Sequence, residues 1–376
     1  MIGKLTLLLL SWLIHLSGNP LENSDFYQKI KQPKNYFIEY GNHKIPAYLI
    51  ENNQKKKLLV IGRQMDEEMG ELILLQRPDS DGSGRIMLPI QDENYQLEWI
   101  VPDVYKKAIS SQEPSKSSQV IESIRPHIYP LITYLDIKNE VFNIHRPVIF
   151  LLKSLIASEQ WDEAFLILSR VPYRKVNPIY LGLAFKVLEQ LVKSRQPNLA
   201  MQLFEKTFHL QAPHQLQEQI KHFAYLLLQN HYPHQALYTY KKILKIDNFQ
   251  YLTECRLWQA YCHYQIKQPE ITKLFIEELG EFSHDKREFS LYLLIRSKLD
   301  LLEERYEDAI GKLSRAIVYA PIECQWLPEL MHLTGNIYQK LGNIDASYSI
   351  HQEVALFFPK SLWAKKSDQI ISRNKP

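Results

Sequence analysis

The chain has 376 residues, 45% of them hydrophobic and 23% charged, the balance of a folded globular protein rather than a disordered one. Lys and Arg number 45 against 42 Asp and Glu, which excludes the overall basic excess of a dedicated nucleic-acid binder. Only 12 Gly stand beside 22 Tyr and 15 Phe, which excludes a collagen-like or glycine-linker chain and leans toward helix.

In chain order, Lys4 precedes an apolar run from Leu5 to Leu16, and Ser17-Gly18 follow. That is the layout of a secretory signal peptide over residues 1–18. The run is short for a membrane span, which needs roughly 20 apolar residues. Trp12 and His15 lie inside it, and Leu16 stands where a cleavage site prefers a small residue. An uncleaved N-terminal anchor and a buried helix therefore stay open. The expected location is secreted or periplasmic, in the cell envelope, with membrane contact only if the segment is uncleaved.

Residues 25–109 are expected to form a small β domain. From 36 to 102 apolar residues recur with period two: Tyr36, Ile38 and Tyr40; Ile45, Ala47 and Leu49; Leu59 and Ile61; Leu72 and Leu74; Ile86, Leu88 and Ile90; Leu97, Trp99 and Val101. Turn residues separate them, among them Gly41-Asn42, Asn52-Asn53, Gly62, Gly70 and Gly84. Five or six short strands predict an antiparallel barrel or a strongly bent sheet, with Pro46 and Pro89 at edges or bulges. The pattern is similar to a small SH3-like barrel. So small a core is marginal and is expected to pack against the segment that follows. Asp79 to Ile86 opens like an EF-hand calcium loop, but its twelfth place is Ile90 instead of a bidentate Glu, so the coordination shell is incomplete. A hairpin turn between Leu72–Arg77 and Arg85–Ile90 is expected there. Val104 to Ile109 predicts a short helix. Residues 110–119 read as a linker, and 120–144, with Pro126 and Pro130, as capping helices.

The second half repeats itself. Ala164, Ala200, Ala236 and Thr272 follow one another at 36 residues, and Ala309 and Ala346 at 37. Four residues after each stands a large apolar side chain: Leu168, Phe204, Tyr240, Ile276, Leu313 and Ile350. A small residue with a large one at i+4 shares one helix face, so a neighbouring helix can approach over the first and pack on the second. Gly335, Tyr338, Gly342 and Pro359 in the last unit, and Tyr306-Glu-Asp-Ala309 with Ala316 and Pro321 in the one before, resemble the tetratricopeptide repeat. Trp161-Asp-Glu-Ala164 starts its helix in the same way, whereas the turn glycine is replaced by Glu159, Arg195 and His231. In that register the alanine of the last second helix is Ser347, with Ala346 beside it. The array is expected over 145–362 in about six units, and 363–376 as a polar tail. The fold class is α+β multidomain: a small antiparallel β-barrel or sheet followed by an all-α, tetratricopeptide-like solenoid.

Such arrays hold peptides or partner helices along the concave face of their first helices. The resemblance places Arg146, Lys153, Phe185, Glu189, Lys221, Tyr225, Lys298, His332 and Asn336 on that face, a mixture of cations, aromatics and amides suited to a peptide backbone with some acidic groups. No HExxH, GxGxxG, Walker A loop or paired CxxC is present. His231 and His234, the close histidine pair, have no carboxylate or Cys nearby to complete a metal set. No catalytic residue, metal or cofactor is therefore assigned. Cys255 and Cys262 are seven apart, about 10.5 Å along a helix, too far for the roughly 5.5–6 Å a disulfide prefers. A bridge from Cys255 to Cys324 stays open.

The expected function is an exported, non-catalytic protein–protein interaction scaffold of the cell envelope with a protein or peptide partner and no nucleic acid. One alternative is a membrane-anchored accessory subunit of an envelope export or energy-transduction complex. A second is a polysaccharide-binding or hydrolytic protein with its site in the β domain, near Asp92, Glu93 and Trp99.

Overall fold

A computed structural model describes residues 36–79, 84–92, 94–110, 117–176, 178–208 and 214–373. The signal peptide or anchor expected at 1–18, residues 80–83 of the acidic loop, Glu93, and residues 111–116 of the linker lie outside the described residues. The chain falls into two compact units, Met1–Phe208 and His209–Pro376.

The first unit opens with a helix, α1 (Tyr36–Tyr40), where alternation predicted a strand. Tyr36 and Tyr40 are two strand repeats apart but also one helical turn apart, and tertiary contact decides between the readings. Their rings stack at 6.0 Å, and Phe37 meets the Tyr129 ring edge-on at 4.8 Å, while Ile38 points to solvent.

Five strands follow: β1 (Ile45–Glu51), β2 (Gln54–Asp66), β3 (Gly70–Gln76), β4 (Arg85–Pro89) and β5 (Gln96–Trp99). Their order is β4-β3-β2-β1-β5 and every pairing is antiparallel. Asn52 and Asn53, both with positive φ, make the two-residue turn between β1 and β2 that strand twist favours. Ile45, Ala47 and Leu49 are buried as predicted, opposite Leu58 and Val60 rather than the expected Leu59 and Ile61, so the inward face of β2 is corrected by one residue. The β3–β4 hairpin forms with Gln76 opposite Arg85.

The expected SH3-like barrel is corrected to an open sheet. Its ends are β4 and β5, and no ladder joins them among the described residues. The outer edge of β5 is instead taken by a later segment: Leu97 bridges Phe142 in parallel, and its N–H donates to the Val141 carbonyl at 2.6 Å. At the other end, the Ile90 amide donates to the Glu71 carbonyl at 2.9 Å, so in this register Arg85, Met87 and Pro89 turn their backbone polar groups outward. Pro89 lacks the amide that would point to solvent, which is why it is tolerated there.

After α2 (Asp103–Ile109), residues 120–144 hold one helix and a run of turns where capping helices were expected. That helix, α3 (Ser118–Ile132), carries Pro126 and Pro130 internally and buries Ile121, Ile124, Ile128 and Leu131. The turns after it bring Asp136 to β2, where Arg63 grips it with two bonds of 2.8 and 2.9 Å and also donates to the Thr133 carbonyl. Burial opposes the charge on Asp136, but the Arg63 bonds outweigh it and hold the carboxyl below its ordinary range. The small sheet therefore packs on the segment that follows it.

Six helix pairs occupy the described residues from 145 to 357. The first unit holds α4 (His145–Ala157) with α5 (Trp161–Leu168), and α6 (Ile179–Lys193) with α7 (Pro197–Thr207). The second holds α8 (His214–Gln229) with α9 (Pro233–Ile243), α10 (Leu252–Gln265) with α11 (Pro269–Leu279), α12 (Phe289–Leu302) with α13 (Tyr306–Tyr319), and α14 (Leu327–Lys340) with α15 (Ile344–Phe357).

All six inter-helix turns share one geometry. Glu159, Arg195, His231, Lys267, Glu304 and Gly342 adopt φ between 57° and 81°. In each, the next residue's amide reaches back five positions to a first-helix carbonyl, as Gln160 does to Leu155 and Asn343 to Tyr338, and the turn residue's own amide reaches back three. This is the Schellman cap. The replaced glycines thus keep the glycine conformation. The second helices then bury Ala164, Ala200, Ala236, Thr272 and Ala309 completely. In the last unit Ser347 and His351 are the buried pair and Ala346 and Ile350 are not, so the alignment on Ala346 is corrected by one residue: that repeat is 38 long, counted from Ala309 to Ser347. The expected tail forms a further helix, α16 (Leu362–Arg373), with Ala364 and Ser367 buried.

Candidate functional site

The predicted row of first-helix residues divides by unit. In the first unit, Arg146 and Lys153 are exposed on α4, seven residues and two helical turns apart, hence on one face. On the next first helix, α6, Phe185 and Glu189 are half-exposed one turn apart, and Glu189 pairs with Lys193 at 2.6 Å. Tyr105 of α2 meets Phe150 of α4 edge-on at 5.7 Å and so steadies this helix from another side.

In the second unit four of the five predicted positions are enclosed. Lys221 is 5% exposed and sits 3.3 Å from Glu254, with its ammonium 3.8 Å above the Tyr251 ring. Tyr225 donates its hydroxyl to the Gln325 carbonyl at 2.8 Å. Lys298 pairs with Glu329 at 2.6 Å, and Tyr261 donates to the same carboxylate at 2.7 Å. His332 lies 2.9 Å from the Ser367 hydroxyl and packs on Trp363. Asn336 is half-exposed. Burial raises the hydroxyls of Tyr225 and Tyr261 well above the ordinary tyrosine range, with Glu329 adding to both.

The space left along this wall is a cavity of about 70 Å³ bounded by Tyr225, Trp258, Tyr261, Glu329, Trp363 and Lys366. Ligand pockets usually run to roughly 300–1,000 Å³, so this space is too small for a peptide. Paired charges and stacked rings fill what the repeat pattern alone reads as a groove.

Sequence reasoning missed the partners that close this wall: Glu254, Trp258, Tyr261, Glu329, Trp363 and Ser367. A signal for the two carboxylates exists, because Lys221 and Glu254 are 33 residues apart and Lys298 and Glu329 are 31 apart, close to one repeat. Trp363 carried no signal, since it stands in a segment read as a tail.

In the β part, Trp99 is 6% exposed and covered by Tyr105 at 5.3 Å, so it offers no flat aromatic platform for a sugar. Asp92 receives the Asn94 amide at 2.9 Å. Among the described residues no group of three or more His, Cys, Asp and Glu side chains could hold a metal ion. Cys255, Cys262 and Cys324 are free, buried thiols, and burial raises all three above the ordinary range. No helix of the described residues is long and apolar enough to cross a membrane.

No protein-family model matches the chain, and no curated protein matches it. Among solved structures, the chain is similar to PilW, a widely conserved type IV pilus biogenesis factor, at 13% identity over 57% of this chain and 94% of that one, with a TM-score of 0.36. It is similar to pilF of Pseudomonas aeruginosa at 13% identity over 59% and 95%, TM-score 0.32. It is also similar to YrrB, a TPR protein with an unusual peptide-binding site, at 9% identity over 59% and 91%, TM-score 0.27. Likenesses this distant carry no argument about what this chain binds.

Proposed function

We propose that the chain is a non-catalytic interaction scaffold that holds a protein or peptide along the first-helix face of α4 and α6. The observation that carries this reading is the contrast between the units. Arg146, Lys153 and Phe185 reach solvent on their helix faces, while Lys221, Tyr225, Lys298 and His332 are spent on internal partners. Two exposed cations on α4 and a half-exposed aromatic on α6 suit a segment with acidic groups and an apolar side chain. The Leu5–Leu16 run supports an exported, envelope location. The mass of the mature N-terminus separates a cleaved, released scaffold from a membrane-anchored accessory subunit of an envelope complex. The polysaccharide reading would need an exposed tryptophan in the sheet, and Trp99 is buried.

A photo-crosslinking amino acid at Lys153 or Phe185 in producing cells is expected to capture the same partner from both positions. Arg146→Glu should reduce that capture by tenfold or more, the scale of one charge reversal in a recognition patch. Capture that survives Arg146→Glu unchanged, or that arises only from probes on the sheet, would overturn the assignment.

A further inference from the structure

We propose that Ser367 and the imidazoles of His332 and His351 form an acid-sensitive latch that holds α16 on the last helix pair, and that acid frees α16 and uncovers the wall around Glu329.

Three helices meet at one hydroxyl. The Ser367 Oγ lies 2.9 Å from Nδ1 of His332 on α14 and 3.0 Å from Nδ1 of His351 on α15. Ser367 and His351 are fully buried, and His332 is 4% exposed. A serine hydroxyl has one proton to give. With both rings neutral it donates to one Nδ1 and accepts from the N–H of the other, so the two histidines hold opposite tautomers. The ring centroids are 5.1 Å apart, which leaves no shielding between two imidazolium charges.

The surroundings oppose protonation from every side. Lys298 faces the pair from α12 and Lys366 from α16, while α15 contributes His351 itself. The carboxylate that α14 contributes, Glu329, already serves Lys298 and Tyr261. Nε2 of His351 has no partner and abuts Gly335, where even a methyl group would come within 2.8 Å, so water cannot hydrate a charged ring there. Burial first, then His351, Lys366 and Lys298, hold His332 down to about 3, and burial lowers His351 as well. The buried residues of α16 are Ala364 and Ser367, and its half-buried Trp363 packs on His332 as well.

Once α16 leaves, His332 loses Ser367 and Trp363 and titrates nearer its ordinary value of about 6.5, while His351 keeps its seat against Gly335. Docking is therefore at full strength above that pH and weakens as pH falls. The ratio of released to docked α16 rises by up to tenfold per pH unit through His332. Release strips Trp363 and Lys366 from the wall and opens the small cavity they help close.

Amide hydrogen exchange of the full chain between pH 7.5 and 4.5, corrected for intrinsic exchange, reads this directly. The expected result is a steep loss of protection in α16 on acidification while α14 and α15 keep theirs, and no such slope in a His332→Gln, His351→Gln double variant. Ser367→Ala should lower α16 protection at pH 7.5 and retain the slope. If the double variant does not fold, ring titration of the wild-type histidines by NMR decides the matter. Two imidazoles titrating near 6.5 while α16 stays protected would overturn the latch. So would α16 protection that ignores pH, or an equal slope in the double variant.

Discussion

Arg195 and Lys267 hold φ at 60° and 61° in the turns between paired helices, and both side chains are exposed. An L-residue there costs about 1–2 kcal/mol because its Cβ crowds the following carbonyl, a contact that glycine lacks. Gly342 shows that the same turn accepts glycine in this chain. Arg195→Gly and Lys267→Gly should each therefore stabilise the chain by about 1 kcal/mol, less whatever the extra freedom of glycine costs in the unfolded state. Urea unfolding followed by far-UV circular dichroism measures this, and a destabilised variant would contradict the turn geometry. The repeat was legible at these positions only in part. The sequence shows no glycine there, but the left-handed turn is held by backbone hydrogen bonds that any residue except proline can make.

At the scale of elements, ion pairs inside the protein join helices that the repeat alone does not join. Arg125 of α3 grips Glu163 of α5 through Nε at 2.9 Å and Nη2 at 2.6 Å, and Tyr129 donates to the same carboxylate at 2.7 Å. The ring of Tyr36 lies 4.4 Å from the guanidinium, which ties α1 into the cluster. Arg125→Ala should destabilise the first unit by about 3–5 kcal/mol, since it strands a buried carboxylate. The triple replacement Arg125→Met, Glu163→Leu and Tyr129→Phe should recover most of that loss, because no buried charge or hydroxyl is then left without a partner: the other groups Arg125 serves, Glu122 and Gln160, are exposed and half-exposed. Thermal unfolding of the two variants beside wild type checks both. The existence of the strands from Ile45 to Trp99 was readable because half-buried strands alternate, and the face of β1 with it; the face of β2 was not, because Leu58, Leu59, Val60 and Ile61 form one unbroken apolar run that satisfies either phase. Tyr36–Tyr40 was misread because five residues satisfy a period of two and a period of four alike. The closed wall of the second unit was not readable, because repeat spacing says which helix face turns inward but not how far neighbouring side chains fill the space there. The seat of α16 was hidden for a related reason: of its residues only Ala364 and Ser367 are buried, and its large apolar side chains stay half-exposed.

For the whole molecule, the division at Phe208 and His209 places the sheet and two helix pairs in one compact unit and four pairs with α16 in the other. The second unit carries its own buried core, including Trp258, Trp326 and Tyr240, and its own internal ion pairs. A fragment of residues 209–376 should fold alone, with a helical spectrum and one cooperative urea transition; a non-cooperative melt would show that it depends on the first unit. The open sheet has a further consequence for how the protein behaves at high concentration. One rim is roofed by the chain's own backbone at Phe142, and on the other the Pro89 carbonyl is already taken by the Tyr95 hydroxyl at 2.9 Å. A foreign strand arriving there finds the amides of Arg85 and Met87 and then a proline. Filament growth by strand addition runs out of donors within a few residues, so crowding does not make the sheet a nucleus for polymerisation.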